Sequence, residues 1–287
     1  MSDEKNKVVK ATLYLVGTPI GNLSDISERA KKVLSEVDFI AAEDTRNSAK
    51  LLNVLGIKKE LISYHEHNKR ESGTRIISRL LEGESCALIT DAGMPAISDP
   101  GEDMVVLCAE SGVNVTVIPG PCAAVSALSV SGLPTGRFAF EGFLSANRGE
   151  RMKQLERVKY DDRTLIFYEA PHKLKTTLED MAEVFGNDRE ISLCRELTKL
   201  NEQIIRTNMA FALIYYETRE PRGEYVLVVD GFKGKVVDKE TEELLSLSPE
   251  AHVERYMSDG LSRMDAIKRA AKDRGMTKSE LYKILNS

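Results

Sequence analysis

Apolar and polar positions along the first 135 residues follow two rhythms. Short β-branched or aliphatic runs at Thr12 to Val16, Val37 to Ala41, Ala87 to Thr90 and Val115 to Ile118 are separated by longer stretches with helical spacing. That succession predicts strands and crossover helices around a mostly parallel sheet. Each run ends in loop-forming residues: Gly17-Thr18-Pro19, Glu43-Asp44-Thr45, Asp91-Ala92-Gly93 and Pro119-Gly120-Pro121. Open α/β sheets take ligands at the carboxyl ends of their strands, so these four loops are expected to converge on one cleft.

After the linker-like Gly132-Leu133-Pro134-Thr135-Gly136, strand patterns come with fewer helices between them: Phe138 to Phe143, Thr164 to Tyr168, Ile191 to Cys194, Gln203 to Arg206 and Tyr225 to Val229. The chain therefore predicts an N-terminal α/β domain over 1–132 with a mostly parallel sheet, and a second α/β domain over 137–232 with a mixed one. A hinge between them would give the cleft a second wall. From about Lys233 to Pro249 the chain is polar and acidic. Helical patterns at Pro249 to Ser258, Ser262 to Lys272 and Lys278 to Leu285 then predict a small helical tail over 249–287.

Composition narrows the function classes. With 42% hydrophobic and 30% charged residues in 287, the chain has the makeup of an ordinary globular protein rather than a disordered one. No apolar run approaches the roughly 20 residues that cross a bilayer. The charged start, MSDEKNKVVK, lacks the pattern of a secretory signal, so the expected location is the cytoplasm, away from any membrane. Cys86, Cys108, Cys122 and Cys194 form no CxxC pair, which argues for small apolar residues rather than a zinc or redox site. The net charge of −5 is uneven: between Arg263 and Lys283 seven basic residues face three acidic ones, a local balance of +4 that leaves −9 elsewhere. That asymmetry points to an anionic partner for the tail.

Three segments carry candidate chemistry. The turn GTPIGNLSD, Gly17 to Asp25, sits between a strand and a helix, but its glycines fit neither GxGxxG nor GxxxxGK. A tight turn with an N-cap from Ser24 or Asp25 accounts for it equally well. Thr90 to Gly101, TDAGMPAISDPG, is long and rich in small residues, the character of a functional loop that lets a ligand lie on the backbone. Pro119 to Ala124 places small residues and free amides at a helix start, suited to a polar or anionic group.

Eight phrases in order, LYLVGTPIGNLSDIS, AEDTRNSAKLL, SYHEHN, ALITDAGMPAISDPG, VIPGPCAAVSALSVSGLPT, FEGFL, FYEAPHKL and CRELTKLNEQIIR, resemble the bacterial ribosomal RNA small subunit methyltransferase I family. These are 2′-O-ribose methyltransferases of the tetrapyrrole methylase superfamily. The resemblance spans about Thr12 to Val229. It implies two α/β domains with S-adenosylmethionine in the cleft between them, methylation of a cytidine ribose in 16S (small-subunit) ribosomal RNA, and usually a homodimer. It places Asp91, Ala92, Gly93, Met94, Ala96 and Ile97 in the loop around the cofactor's amino acid and sulfonium end. Pro121, Cys122 and Ala123 fall in the superfamily's Pro-Gly-x-Ser segment, with Cys122 in place of the usual serine, and Thr18 and Pro19 fall in the first turn. That turn departs from the GxGPGD of porphyrin-precursor methylases, which favours the RNA enzyme. The rival readings are a small-molecule methyltransferase of the same fold and a ribosome-assembly factor that binds RNA without catalysis.

Methyl transfer to a ribose hydroxyl is helped by a general base. Glu169 and His172 in YEAPHK are one candidate pair, with a helix start capped near Glu169 as the alternative. Glu43 and Asp44 are a second pair, with capping by Asp44 or Thr45 as the alternative. Arg46, Arg195 and Lys199 are candidates for RNA phosphates, against ordinary surface ion pairs. His65-Glu66-His67 has the alternation that puts two ligands on one strand face, but no third ligand is visible, so no metal is expected. In the tail, Met264, Ile267, Ala270 and Ala271 share helical spacing with basic residues opposite, Lys268, Arg269 and Lys272 among them. This resembles a small helix-turn-helix unit laid on RNA phosphates, with a merely solvated face or a dimer contact as the alternatives. The expected partner is small-subunit ribosomal RNA or the assembled 30S subunit.

Overall fold

A computed structural model describes residues 7–234 and 244–286. The chain divides into two compact units, Met1–Phe232 and Lys233–Ser287. Part of the expected acidic stretch, 235–243, and the opening six residues lie outside the described residues.

In the first unit, β1 (Thr12–Val16), β2 (Phe39–Ala42), β3 (Glu60–Ser63), β4 (Cys86–Ile89) and β5 (Asn114–Ile118) form a parallel sheet in the order β3-β2-β4-β1-β5. Strands β2 and β4 are buried at every position. Such unalternating runs are what a parallel strand covered on both faces requires. On one face, Ala30, Val33 and Leu34 of α1 (Glu28–Glu36) and Leu52 of α2 (Thr45–Val54) pack on Tyr14, Val16, Ile40 and Ala87. On the other, Ile76 and Leu80 of α3 (Lys69–Leu81) and Met104 and Cys108 of α4 (Gly101–Glu110) meet Leu13, Phe39, Ala41 and Leu88. The expected strand at Val37 starts later because the Val37 N–H still bonds Val33 O at the end of α1. Strand β3 was not anticipated: it is an edge strand, and only Ile62 of its four residues is buried.

The second sheet holds β6 (Phe138–Phe143), β7 (Thr164–Glu169), β8 (Glu190–Arg195), β9 (Gln203–Asn208) and β10 (Tyr225–Val229), ordered β6-β7-β10-β8-β9. It is mixed, with β6 parallel to β7 and the remaining pairs antiparallel. Helices α6 (Arg148–Val158), α7 (Leu174–Phe185) and α8 (Met209–Glu217) cover one face. The other face carries α5 (Ala123–Ser131), whose Ala124, Ala127 and Leu128 pack on Ile166, Cys194, Val226 and Val228. A boundary at residue 132 thus follows a helix seated on the second sheet, and Gly132, at φ +79°, ends that helix and turns the chain into the linker.

In the second unit, α9 (Pro249–Ser258), α10 (Arg263–Asp273) and α11 (Lys278–Ile284) are N-capped by Ser248, Ser262 and Thr277. Their core gathers Val253, Tyr256, Ala266, Ile267, Ala270, Ala271 and Leu281. Met264, expected on the apolar face of α10, is 53% exposed. Ala266 takes its place, because the buried stripe is centred on 266, 267, 270 and 271 and Met264 falls at its edge. Among the described residues no helix is long and apolar enough to cross a membrane.

Candidate functional site

Three loops at the carboxyl ends of the first sheet are tied together backbone to backbone. A Cβ on Gly17 would lie 2.7 Å from Gly120 Cα, and one on Gly120 would lie 2.8 Å from Gly17 Cα, so only glycine permits the loops after β1 and β5 to cross. The Thr18 N–H donates to Gly93 O at 2.9 Å, and the Gly93 N–H returns a bond to Thr18 O at 3.1 Å. The Thr18 hydroxyl, fully buried, donates to Thr90 O at 3.3 Å. Asp99 shapes the long loop after β4 by accepting from the Ala96 N–H at 3.0 Å and the Gly101 N–H at 2.7 Å. Ala96 and Ser98 are held there at φ +65° and +63°, a left-handed conformation that costs roughly 1–3 kcal/mol per residue where the side chain is not glycine.

These loops face the second sheet across a cavity of about 510 Å³, a size typical of small-molecule sites. All four sequence-predicted loops reach it, through Ile20, Glu43, Asp91 to Met94 with Ile97, and Cys122 with Ala123. The opposite wall comes from Phe143, Tyr168 to Pro171, Cys194, Glu196, Leu197, Lys199 and Glu224 to Val226. Of the expected cofactor contacts, Asp91, Ala92, Gly93, Met94, Ile97, Cys122 and Ala123 line the cavity. Thr18, Pro19, Ala96 and Pro121 do not: Thr18 is turned into the loop clamp, and Ala96 is spent in the turn around Asp99.

Of the expected acid–base residues, the structure brings Glu43 and Glu169 to the cavity and leaves His172 and Asp44 outside. Glu43 Oε2 accepts from the Thr90 hydroxyl at 2.7 Å. Beside it, partial desolvation raises the Asp91 carboxyl above its ordinary range; the bond from Asn47 opposes this, and the Glu43 and Asp44 charges add to it. Glu169 is buried, accepting from its neighbour Ala170 N–H at 2.8 Å and from the Thr177 hydroxyl of α7, with Lys173 Nζ at 3.4 Å. It pins the strand-to-helix junction through a side-chain bond to Thr177 rather than by capping: the N-cap of α7 is Lys173, which makes no side-chain cap bond. His172 is exposed. Asp44 caps α2 through the Arg46 N–H at 2.8 Å, and the Arg46 guanidinium holds its carboxyl down to about 2.

The expected phosphate contacts separate in the same way. Arg46 is exposed but paired to Asp44 at 2.8 Å, and Arg195 donates to Arg222 O at 2.6 Å. Lys199 lines the cavity with its Nζ between Glu196 at 2.9 Å and Glu224 at 2.8 Å, so its charge is already balanced. In the tail Lys268, Arg269 and Lys272 are exposed, and the Arg269 guanidinium stands 5.4 Å from the Tyr256 ring centre. Arg274 differs from them: it donates to His252 Nδ1 at 3.1 Å and to Leu247 O at 2.5 Å.

Sequence reasoning did not single out Phe143, Tyr168 or Glu196. The Tyr168 hydroxyl accepts from the Ala124 N–H at 3.2 Å, bridging β7 to the start of α5, and burial pushes it up to about 12. Glu196, at φ +51°, and Thr198, at φ +67°, belong to a second strained loop, which crosses Gly21 so closely that a Cβ there would meet the Lys199 side chain. The His65-Glu66-His67 run, expected on a strand, lies just past β3 and runs into a turn, with the two rings edge to face at 5.9 Å and Glu66 paired to Lys69 at 2.7 Å. Among the described residues no group of three or more His, Cys, Asp or Glu is placed to hold a metal ion.

Comparison with known proteins agrees with this arrangement. Residues 12–212 match the family described as Tetrapyrrole (Corrin/Porphyrin) Methylases. A curated relative in Halalkalibacterium halodurans, named Ribosomal RNA small subunit methyltransferase I, is 50% identical over 96% of this chain and 94% of its own length. One of the same name in Bacillus subtilis is 47% identical over 94% and 92%. A solved cobalamin biosynthetic enzyme, cobalt precorrin-4 methyltransferase, superposes with a TM-score of 0.58 at 16% identity over 80% of this chain and 97% of that one, a likeness of fold. The chain belongs to the tetrapyrrole methylase family and, within it, to the ribosomal RNA small subunit methyltransferases I.

Proposed function

We propose that the protein transfers a methyl group from S-adenosylmethionine to the 2′-oxygen of a cytidine ribose in small-subunit ribosomal RNA. One observation carries the reading: the cavity lies where small-residue loops at three strand ends face the second sheet, as a ligand with a long, mixed polar and apolar outline requires. The cradle fits such a cofactor. Small residues leave room along the wall at Ala92 and Gly93, the amino end of α5 opens onto the cavity at Cys122 and Ala123, and carboxylates stand at Glu43 and Asp91. Ala92, Gly93, Met94, Ile97, Cys122 and Ala123 would hold it, and when bound it supplies an electrophilic methyl on a sulfonium.

The chain's own part is to hold the two reactants at near-attack distance and to take one proton. Glu43 is the residue we assign to the proton: Thr90 fixes Oε2 and leaves Oε1 for the substrate hydroxyl, while Asp91 keeps the surroundings anionic. We read the halves over 1–132 and 137–232 as the catalytic body and 249–287 as an accessory tail whose Lys268, Arg269 and Lys272 meet RNA phosphates. A cytoplasmic homodimer acting on the assembled 30S subunit completes the reading.

The test is incubation with methyl-labelled S-adenosylmethionine and either undermethylated small subunits or naked ribosomal RNA, followed by mapping of the label. One ribose-methylated cytidine is expected, and Glu43→Gln should slow its formation by 10² or more at unchanged cofactor affinity. Cofactor binding without label on either RNA would overturn the reading in favour of an assembly factor.

A further inference from the structure

Phe143 stands out on the cavity wall. It is 53% exposed, although it ends a strand and carries the largest purely apolar side chain lining the cavity. Its position depends on an irregularity of β6. The pairing runs Phe140 with Ile166, then Gly142 with Phe167 and Phe143 with Tyr168, so Glu141 is an extra residue and the register shifts. Strict alternation would have put Phe140 and Phe143 on opposite faces. The bulge, completed by Gly142 at φ +66°, brings both rings onto Tyr168, at 4.9 Å and 5.4 Å between centroids. Bulges next to active sites re-aim side chains in this way. Tyr168 is itself fixed through its hydroxyl to the Ala124 N–H.

The result is an aromatic ring held edge to face from behind, with its remaining surface open at the mouth of the cavity. A ring presented in this manner is a stacking surface for an unstacked nucleobase, the usual means by which proteins hold single-stranded RNA. We infer that Phe143 is the platform on which the base of the target nucleotide stacks, fixing the ribose so that its hydroxyl enters the cavity. The inference rests on the proposed RNA methylation and adds the residue that positions the base.

The protein contains no tryptophan, so Phe143→Trp places a single indole emitter at this position. Its fluorescence should be quenched on adding undermethylated small subunits, while S-adenosylhomocysteine alone leaves it unchanged. In parallel, Phe143→Leu should lower kcat/KM for subunits by about 5- to 150-fold, the range measured for losing one stacked base, with S-adenosylmethionine affinity by calorimetry within twofold of the parent. Phe143→Trp should keep most of the activity. The exposure of the ring makes both variants safe for folding, which circular dichroism checks. Quenching by S-adenosylhomocysteine alone, or a fall in cofactor affinity matching the fall in activity, would assign the ring to the cofactor and overturn the inference. So would an unchanged kcat/KM in Phe143→Leu, or a loss explained by dissociation of an oligomer in light scattering. If the parent protein itself labels no RNA, the functional reading fails first, and the two failures are told apart.

Discussion

The start of α5 offers a quantitative test of how the cavity is held. Cys122 occupies the N-cap with extended backbone, φ −139° and ψ 110°, the geometry a capping residue adopts, yet its thiol makes no capping hydrogen bond among the described residues. Instead the Tyr168 hydroxyl, from the second sheet, takes the Ala124 N–H at 3.2 Å. Sulfur is a weak acceptor, whereas a serine oxygen in this position accepts from the second or third helical amide. Cys122→Ser should therefore stabilise the first unit by about 1 kcal/mol, within the 0.5–2 kcal/mol range of such caps. That corresponds to a rise in Tm of roughly 2–4 °C for a body of this size. Tyr168→Phe keeps the ring contacts and removes only the acceptor, at a cost of about 1–3 kcal/mol for an orphaned amide. In the Cys122→Ser background the serine oxygen can take over that amide, so the second change should cost at least ~0.5 kcal/mol less than it does alone. Burial holds the tyrosine at about 12, so the coupling should be flat from pH 6 to pH 9. Calorimetric unfolding of the four proteins of this cycle measures it. Additive effects, or a Cys122→Ser midpoint no higher than the parent's, would refute the capping argument.

Three further outcomes follow from the same contacts. Gly17→Ala drives a Cβ to 2.7 Å from Gly120 Cα, so it should abolish S-adenosylmethionine binding in calorimetry and lower Tm, whereas Gly136→Ala, where the space is open, should do neither. The Asp91 carboxyl is raised in the folded protein, so its ionisation opposes folding: its contribution is full below the ordinary carboxylate range and lost as pH rises through the folded value. Asp91→Asn should accordingly raise Tm at pH 7, with the gain fading in acid, which thermal melts across pH will show. In the tail, replacing Lys268, Arg269 and Lys272 by Gln should flatten the slope of log RNA affinity against log salt by about 2 to 3, while Arg274→Gln, already bonded to His252 and Leu247, should instead loosen the helices.

What could be read from the chain tracks how much of each element's surroundings it carries in itself. Strands β1, β2 and β4 are buried on both faces, and their unbroken apolar runs announce them, as do the small-residue loops that follow. Strand β3 has one buried residue because its edge position asks for no more, and a run with one buried residue is not distinguishable from a loop. Helix α5 could be recognised as a helix, but not its seat. Its Ala124, Ala127 and Leu128 are as suited to the first sheet as to the second, and only the assembled fold sends them to Ile166 and Val226.

The site divides along the same line. Asp91 to Met94 and Cys122 with Ala123 were legible because what they offer is backbone, and small residues after a strand declare it. The charged candidates were not, since a carboxylate or guanidinium acts according to its nearest partner. Asp44 and Arg46 satisfy each other, Glu169 is taken by Thr177 and Lys173, and Lys199 lies between two carboxylates. Of the seven candidates named in the first unit for acid–base or RNA-binding work, Glu43 is the one at the cavity whose carboxylate keeps one oxygen outside its bond from the Thr90 hydroxyl. Phe143 was hidden for a geometric reason. In FEGF the two phenylalanines stand three apart, which in an unbroken strand places them on opposite faces, and only the bulge at Glu141 and Gly142 reunites them over Tyr168. Changing the spacing tests that dependence. Deleting Glu141 removes the extra residue and leaves Phe140, Gly142 and Phe143 in plain alternation, so Phe143 should stay opposite Tyr168 and RNA methylation should remain near the parent's. Inserting one alanine between Gly142 and Phe143 instead puts Phe143 out of step and should turn it away from the cavity. RNA methylation should then fall as it does in Phe143→Leu, even though every side chain of the cavity wall is still present in the chain.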